Sequence, residues 1–249
     1  MAVTDRVPAD GVRHHGDNVG KNGRVLVVGV DLSGAELYRA PLPHGADPAP
    51  LSYDLGFIAE QPLGARRGPD GDLTLWFLAR PVQGERRPPE RPPGRDPGLM
   101  VVAPGQTTLR QRVAAYAVVV SERGLLATQY SDKTAVEGRW GMPGGGIDDG
   151  EEPADTVVRE VQEETSQRIE LGELVAVQTS HWIGRNPEGQ VEDFHAVRLI
   201  YRGNCPEPSD PVVLDVGGTT ADARWIPLDE CRSVNWTANW RDAIEQLLP

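Results

Sequence analysis

A proline-rich segment divides this chain and limits the folds that are open to it. Residues 81–98 read PVQGERRPPERPPGRDPG and contain six prolines and four arginines. Because proline lacks a backbone N–H and fixes φ, such a run can neither continue a helix nor join a strand ladder. We therefore predict an extended linker over 83–104 that separates two structured units. A ligand for a proline-recognition module is the alternative interpretation of this segment.

The sequence on either side of the linker predicts different contents for the two units. Residues 1–22 are polar and have no apolar period, which predicts a loose tail. Over 23–82, short apolar runs alternate with Gly, Pro and Asp, which predicts a small β-rich unit. Over 105–249, strand-like runs flank a helix at about 153–165, and a second helix at about 237–248 closes the chain. This order predicts an α/β (α+β) sandwich domain.

Net charge, cysteine spacing and the lack of long apolar runs limit the partners, the cross-links and the location that the sequence predicts. The net charge of −12 repels polyanions, so we predict neither a nucleic-acid nor a membrane partner. Small phosphorylated ligands stay open, because local cations dominate within a Debye length of about 8 Å. Cys205 and Cys231 have neither disulfide-framework nor zinc-site spacing. With no signal-peptide pattern and no apolar run near the ~20 residues of a membrane span, we predict a cytoplasmic protein.

The segment at 153–165 has the pattern of an amphipathic helix. Pro153 suits the first helical position, because the N–H that it lacks has no partner there. An apolar stripe follows at helical spacing, formed by Ala154, Val157, Val158 and Val161. Three glutamates gather on a neighbouring face, namely Glu160, Glu163 and Glu164. Like charges at this spacing repel by roughly 0.2–0.5 kcal/mol per pair, so something must relieve the crowding.

A glycine-rich stretch, PGGGIDDGEE at 143–152, directly precedes this helix. Consecutive glycines permit a tight turn or the close approach of a ligand. Carboxylates on one helical face, beside a loop with free carbonyls, are the hard oxygen ligands that Mg²⁺ and Mn²⁺ prefer. The sequence therefore predicts a divalent cation site, with a solvated helix face as the alternative.

The spacing of these residues resembles the Nudix box. Five residues separate Gly145 from Glu151, and seven separate Glu151 from REVQEE at 159–164. Two positions depart from the family pattern: Ser166 stands where the family has glycine, and Gln167 where it has an aliphatic residue. Glycine at that point usually ends the helix, so the sequence alone does not define how this helix ends.

The resemblance covers about 107–249 and implies a Nudix-type α/β/α sandwich with a mixed sheet. It also implies an enzyme that hydrolyses a diphosphate linked to another moiety, a nucleotide or a derivative, by water attack on phosphorus. The implied ligands of Mg²⁺ or Mn²⁺ are Glu160, Glu163, Glu164 and a carbonyl near Gly144. The implied catalytic residues are Glu151, Arg159, Glu160 and Glu164. The ion pair between Glu151 and Arg159 would orient Glu160.

Candidate substrate-binding residues lie between two predicted strands, at 180–195. Trp182 has a ring that can stack on a base, and Arg185 has a guanidinium that suits a phosphate. Glu192 and Asp193 offer a further metal ligand or a base. An ordinary hairpin with a polar rim is the alternative for each of them, and no subfamily marker narrows the substrate.

The sequence leaves open an alternative function for the protein and two simpler roles for its N-terminal unit. A Nudix-fold sensor would bind a nucleotide or ADP-ribose without turnover and signal through the unit at 23–82. That unit is equally compatible with a homodimer interface or with a cover over the active site.

Overall fold

A computed structural model of the protein describes residues 23–95, 99, 107–186 and 189–248. The tail predicted at 1–22 and part of the predicted linker lie outside the described residues. The strands are β1 (Val25–Val30), β2 (Glu36–Pro41), β3 (Phe57–Arg67), β4 (Leu73–Pro81), β5 (Gly94–Arg95), β6 (Thr108–Ser121), β7 (Gly124–Tyr130), β8 (Trp140–Gly141), β9 (Gly144–Gly146), β10 (Glu170–Arg185), β11 (Val191–Asn204) and β12 (Thr220–Ile226). The helices are α1 (Pro48–Asp54), α2 (Pro153–Thr165) and α3 (Ala238–Leu247), with a 3-10 helix at Cys231–Ser233.

The strands form two sheets. The N-terminal sheet has the order β2-β1-β4-β3, with β1 parallel to β4. The larger sheet has the order β12-β7-β6-β11-β10-β5, and the short strands β8 and β9 pair with β7 and β6. It is mixed, because β6 runs parallel to β11 while β10 and β7 are antiparallel to their long neighbours. The predicted α+β class, with a small β-rich unit before a mixed-sheet domain, is confirmed.

The larger sheet is covered on both faces, as strand periodicity requires. Alternate side chains of β6 enter two different cores. The core that contains Val157 and Val161 of α2 also takes Val113, Ala115, Ala117 and Val119 of β6. Val158, predicted as part of the apolar stripe, is 43% exposed instead. The core beneath α3 takes Val118, together with the partly buried Tyr116 and Val120. The two helices therefore pack on opposite faces, which gives the sandwich.

The N-terminal sheet shares the α2-side core instead of forming a core of its own. That core includes apolar side chains of both sheets, among them Val25, Val27, Leu75, Phe77, Val197 and Leu199. Polar contacts add to it: Arg67 donates from its backbone N to Glu152 Oε2 at 3.1 Å and from Nε to the Glu151 carbonyl at 3.0 Å. The N-terminal unit thus reaches the chain immediately before α2.

Three local details differ from the sequence expectation. The linker was expected to join no ladder, but Gly94 and Arg95 pair in parallel with Trp182 and Ile183. These two residues follow the last Pro-Pro pair and keep their N–H groups, so a short edge pairing is open to them. The glycines at 144–146, expected as a loop, form β9 against β6. The helix α1, capped by Asp47, was not predicted.

The two predicted helices are confirmed, α2 with the expected bounds and α3 within one residue at each end. Within the described ranges, no helix is both long and apolar enough to cross a bilayer.

Candidate active site

Arg159 organises the acidic face of α2. Its guanidinium makes two hydrogen bonds to the Glu151 carboxylate, from Nε to Oε1 at 2.8 Å and from Nη2 to Oε2 at 3.0 Å. Its Nη1 donates to Glu160 Oε1 and to Glu163 Oε2, each at 3.0 Å. The hydrogen bond from Arg159 holds the pKa of Glu151 at about 2, well below its usual range. One cation is therefore shared among three carboxylates, which relieves part of their repulsion.

Glu160 lies against the glycine strand β9. A Cβ added to Gly145 would stand 2.5 Å from Glu160 Oε1, so a side chain at position 145 would displace the carboxylate. Burial raises the pKa of Glu160, and the Arg159 guanidinium opposes that shift. The absence of a side chain at Gly145 thus gives this carboxylate its place beside the backbone.

Glu164 is the most enclosed of the three glutamates, with 8% of its surface exposed. Its Oε2 accepts a hydrogen bond from the Gly144 N–H at 2.9 Å, and its Oε1 accepts one from the Thr220 hydroxyl. Burial raises the pKa of Glu164 to about 7, and the neighbouring charges of Glu160 and Asp215 act in the same direction. Both of its donors are uncharged, so neither supplies the positive charge that a buried carboxylate needs.

The register of β9 on β6 decides which backbone groups of the glycine strand are free. Ala117 N donates to the Pro143 carbonyl and Ile147 N to the Val113 carbonyl, so the hydrogen-bonded pairs fall on odd-numbered residues. Gly144, opposite Tyr116, is a non-hydrogen-bonded pair, and its N–H and C=O both point away from β6. The Gly144 N–H donates to Glu164, and the Gly144 C=O points to the same side, away from β6 and toward Glu164.

The chemical types of donor at this place suit Mg²⁺ or Mn²⁺. They are carboxylate oxygens and one free carbonyl, the hard ligands that such ions prefer. The buried Glu164 carboxylate has only neutral donors, and the missing Cβ of Gly145 leaves room beside Glu160. A divalent cation would provide the positive charge that this arrangement lacks.

The end of α2 is held by the segment before β12. Ser166 adopts the left-handed conformation, with φ 59° and ψ 7°, which is the geometry that glycine usually supplies at this point. Gln167 is buried, yet its amide bonds to Thr165 and Ser209, which explains how a polar side chain replaces an aliphatic one. Leu214 N donates to the Glu163 carbonyl at 2.8 Å. The two departures from the box therefore leave the helix end well bonded.

Trp182 and Glu192 lie on one face of the larger sheet. They share this face with Arg112, because the ladders are regular here and alternate residues of a strand point the same way. The Arg112 guanidinium reaches the glycine strand: a Cβ on Gly146 would stand 3.0 Å from its Nη2. Arg112 was not selected from the sequence, where its only signal is its place at the start of a buried strand.

The other two predicted substrate-binding residues have different surroundings. Asp193 lies on the opposite face, where its Oδ1 accepts from His181 Nε2 at 2.6 Å and from His44 Nε2 at 2.8 Å. Arg185 donates from Nη1 to the Gly189 carbonyl at the hairpin turn. Sequence reasoning also missed both histidines and Thr220, because nothing near them in the chain points to their partners.

Comparisons with known proteins match the same part of the chain. The NUDIX domain family model matches residues 110–247, more than half of the chain. Nucleoside diphosphate-linked moiety X motif 6 of Mus musculus is 38% identical over 78 residues, which are 31% of this chain and 24% of that protein. CMP-5'-(N-acetyl-N-hydroxy-3-aminopropyl)phosphonate hydrolase of Streptomyces rubellomurinus is 34% identical over 125 residues, 47% of this chain and 52% of that protein.

A third relative is matched over more of its own length. RNA pyrophosphohydrolase of Rhodopseudomonas palustris is 35% identical over 128 residues, which are 46% of this chain and 69% of that protein. The chain spans about a quarter of the first relative and about half of the second. The matched region contains α2, the glycine strand and most of the larger sheet, and the chain belongs to the NUDIX domain family.

Proposed function

We propose that this protein is a metal-dependent pyrophosphohydrolase that cleaves a nucleoside diphosphate-linked substrate, a nucleotide or a derivative, by water attack on phosphorus. One observation carries the proposal: Glu164 bonds to the Gly144 N–H, Glu160 lies against Gly145, and Glu163 shares the Arg159 guanidinium with Glu160. Hydrolysis of a diphosphate needs charge neutralisation and a positioned water, and this donor set suits both tasks.

The proposed ligands of Mg²⁺ or Mn²⁺ are Glu160, Glu163, Glu164 and the Gly144 carbonyl. When bound, the ion would neutralise phosphate oxygens and lower the pKa of a water molecule. The chain itself supplies orientation: Arg159, fixed by two hydrogen bonds to Glu151, holds both Glu160 and Glu163. Loss of either member of that pair would leave the ligands free to rotate.

Glu164 is proposed as a residue that also handles a proton. Before the ion binds, a pKa of about 7 lets this carboxyl hold a proton near neutral pH, and binding of a divalent cation would release that proton. The Thr220 hydroxyl and the Gly144 N–H fix its two oxygens, so the proton would be exchanged at a defined position.

The substrate is proposed to lie across the sheet face that carries Arg112, Trp182 and Glu192. Arg112 stands beside Gly146 and suits a phosphate, while the partly buried Trp182 offers a ring for a base. Arg185, at the end of the hairpin, remains a proposed contact for a long substrate, whereas Asp193 lies on the opposite face of the sheet, bonded to two histidines, and is not proposed as one. The hairpin is remote from the glycine strand. Asp193 pairs with a residue of β6 that lies seven positions before Tyr116, which is the partner of Gly144. Seven positions of extended chain span about 23 Å.

The wider setting of the protein is proposed from its charge. A net charge of −12 favours a small phosphorylated substrate over nucleic acid or an acidic membrane. The cytoplasmic location predicted from the sequence stays a proposal. A homodimer is proposed through the N-terminal unit, and its mass in solution would test that.

A panel of nucleotides and nucleotide sugars, with products identified, tests the function. We expect Mg²⁺-dependent release of a phosphorylated product from at least one compound. Glu163→Gln and Glu164→Gln should each lower kcat by roughly 10²–10³-fold, the loss typical when one preorganised electrostatic group is removed. Glu173→Gln, at an exposed glutamate of β10, is the matched control and should leave turnover unchanged.

Two outcomes would contradict the proposal. Unchanged turnover in both box variants would show that these glutamates are not the reacting site. Tight binding of a nucleotide or ADP-ribose with no product after long incubation in Mg²⁺ or Mn²⁺ would instead favour a sensor. The complete carboxylate set argues for hydrolysis, because binding alone does not require three metal-ligand carboxylates.

A further inference from the structure

Two histidines and one aspartate meet where the N-terminal unit contacts the larger sheet. His44 comes from the loop after β2, His181 from β10 and Asp193 from β11. Both Nε2 atoms bond to the same oxygen, Asp193 Oδ1, and the three ligand atoms lie within 4.8 Å of one another. Each side chain is mostly buried, with 18–24% exposed. None of the three belongs to the acidic face of α2.

The loop that carries His44 is fixed in place. Asp47 caps α1 through Ala49 N, and its other oxygen accepts a hydrogen bond from Thr179 Oγ1 at 2.8 Å. Gly45 has φ +76°, and a Cβ there would stand 2.5 Å from His181 Nδ1. The loop backbone therefore packs against one edge of the His181 ring and leaves its Nε2 directed to Asp193.

A third imidazole borders the cluster. His195 is fully buried, its ring centroid is 5.5 Å from that of His44 and 6.4 Å from that of His181, and Gln111 bonds to its Nδ1. Its Nε2 makes no hydrogen bond of regular length and angle within the described part of the chain, and the Ala46 backbone interacts with the ring more weakly. A buried polar atom without a close partner calls for an explanation, and a water or an ion beside the cluster is one.

We propose that His44, His181 and Asp193 form a second metal site, which binds a first-row divalent ion such as Zn²⁺ and clamps the N-terminal unit to the larger sheet. Two imidazoles and a carboxylate are ligands that zinc takes with bonds of about 2.0–2.2 Å. Tetrahedral geometry then separates neighbouring ligand atoms by about 3.3 Å, so the present histidine–aspartate distances need to open by less than about 1 Å.

This site differs from the acidic site in both chemistry and place. Nitrogen ligands select Zn²⁺ and similar ions, whereas the all-oxygen set on α2 selects Mg²⁺ or Mn²⁺. The two sites lie at positions along β6 that are about 23 Å of extended strand apart. A cavity of about 880 Å³, lined by His44, His181 and the prolines at 88–93, borders the cluster and leaves room for a water as fourth ligand.

Because the ligands come from both units, the ion would stabilise their docking. A metal that binds the folded form alone raises the free energy of unfolding by mass action. The site and the proposed hydrolysis are independent, and the test below uses no activity readout.

Titration of the metal-stripped full chain with Co²⁺, in excess Mg²⁺ that occupies the acidic site, tests the proposal. His14→Gln and His15→Gln are introduced first, so that these two histidines of the tail cannot contribute. We expect one equivalent of Co²⁺ to bind with the visible bands of a four-coordinate ion, Zn²⁺ to displace it, and Zn²⁺ to raise the unfolding temperature.

His44→Gln should weaken Co²⁺ binding by more than about 100-fold, beyond the roughly 10–100-fold that loss of an outer-shell partner costs. Glu163→Gln, on the acidic face, is the control that should keep the Co²⁺ bands. Asp193→Asn is a second test that preserves side-chain shape if the first variant fails to fold. Two results would overturn the proposed metal site. One is that the parent takes up no stoichiometric Co²⁺, and the other is that folded His44→Gln or Asp193→Asn takes up as much Co²⁺ as the parent.

Discussion

At the scale of single residues, Ser166 shows how this chain departs from its family without losing the helix end. It is the one non-glycine residue with positive φ in the part of the chain that the structure describes. A left-handed conformation costs an L-residue roughly 1–2 kcal/mol. Part of that cost is offset locally, since Ser166 N donates to the Gln162 carbonyl at 2.9 Å and Ser166 Oγ accepts from Val212 N at 3.2 Å.

A comparison of Ser166→Gly with Ser166→Ala isolates the backbone strain. Both variants lose the hydroxyl, but only alanine keeps a Cβ at positive φ, so the glycine variant should be more stable by about 1 kcal/mol. Urea unfolding measures the difference. Asp155→Gly and Asp155→Ala, at an exposed position in the first turns of α2, serve as the control. There the alanine variant should be the more stable of the two. Equal stability at Ser166 would mean that the helix does not end in this conformation.

At the scale of elements, α2 is tied to the sheet through a buried ionisable group. Glu164 joins α2 to β9 through Gly144 and to β12 through Thr220. Its pKa in the folded protein, about 7, is above the ordinary value of 4.5. The folded state therefore holds the proton more tightly than the unfolded chain. The resulting stability is present below about pH 4.5 and is lost as the pH rises through 7.

Glu164→Gln should remove this pH dependence in metal-free buffer. A neutral amide can accept from the Gly144 N–H and donate to the Thr220 hydroxyl, so both contacts survive. We expect the variant to match the parent at pH 4 and to exceed it at pH 8 by on the order of 3 kcal/mol. Urea unfolding at both pH values checks this, and Mg²⁺ at pH 8 should stabilise the parent more than the variant. A gap that stays constant with pH would contradict the assignment of the buried charge to Glu164.

At the scale of the whole molecule, the two sheets share one core. Side chains from β1 and β4 pack with side chains from β6, β11 and α2 in a single apolar cluster. Each large aliphatic side chain removed from such a cluster costs about 1.5–3 kcal/mol. The N-terminal unit is therefore a structural part of the fold around α2, whatever else it does.

Deletion of residues 1–98 should destabilise what remains. It exposes the face of the sheet that carries Val197 and Leu199, so we expect a lower unfolding temperature and association of the exposed faces. Calorimetry and mass in solution measure both effects. Deletion of residues 1–22 alone is the control, since the sequence predicts a loose tail there. A truncated 99–249 chain as stable as the parent would show that the domain folds without the shared core.

The bounds of α2 and the carboxylates of its acidic face could be predicted from the sequence, because the helical period and the proline at the first position are local signals. Most of the larger sheet could be predicted for the same reason, from alternating apolar runs. Only the tertiary structure decided that Thr220 meets Glu164, that Arg112 reaches the glycine strand, and that His44 lies on Asp193, 149 residues away. Such contacts depend on how the sheets pack and on their register, and no local pattern in the chain encodes either.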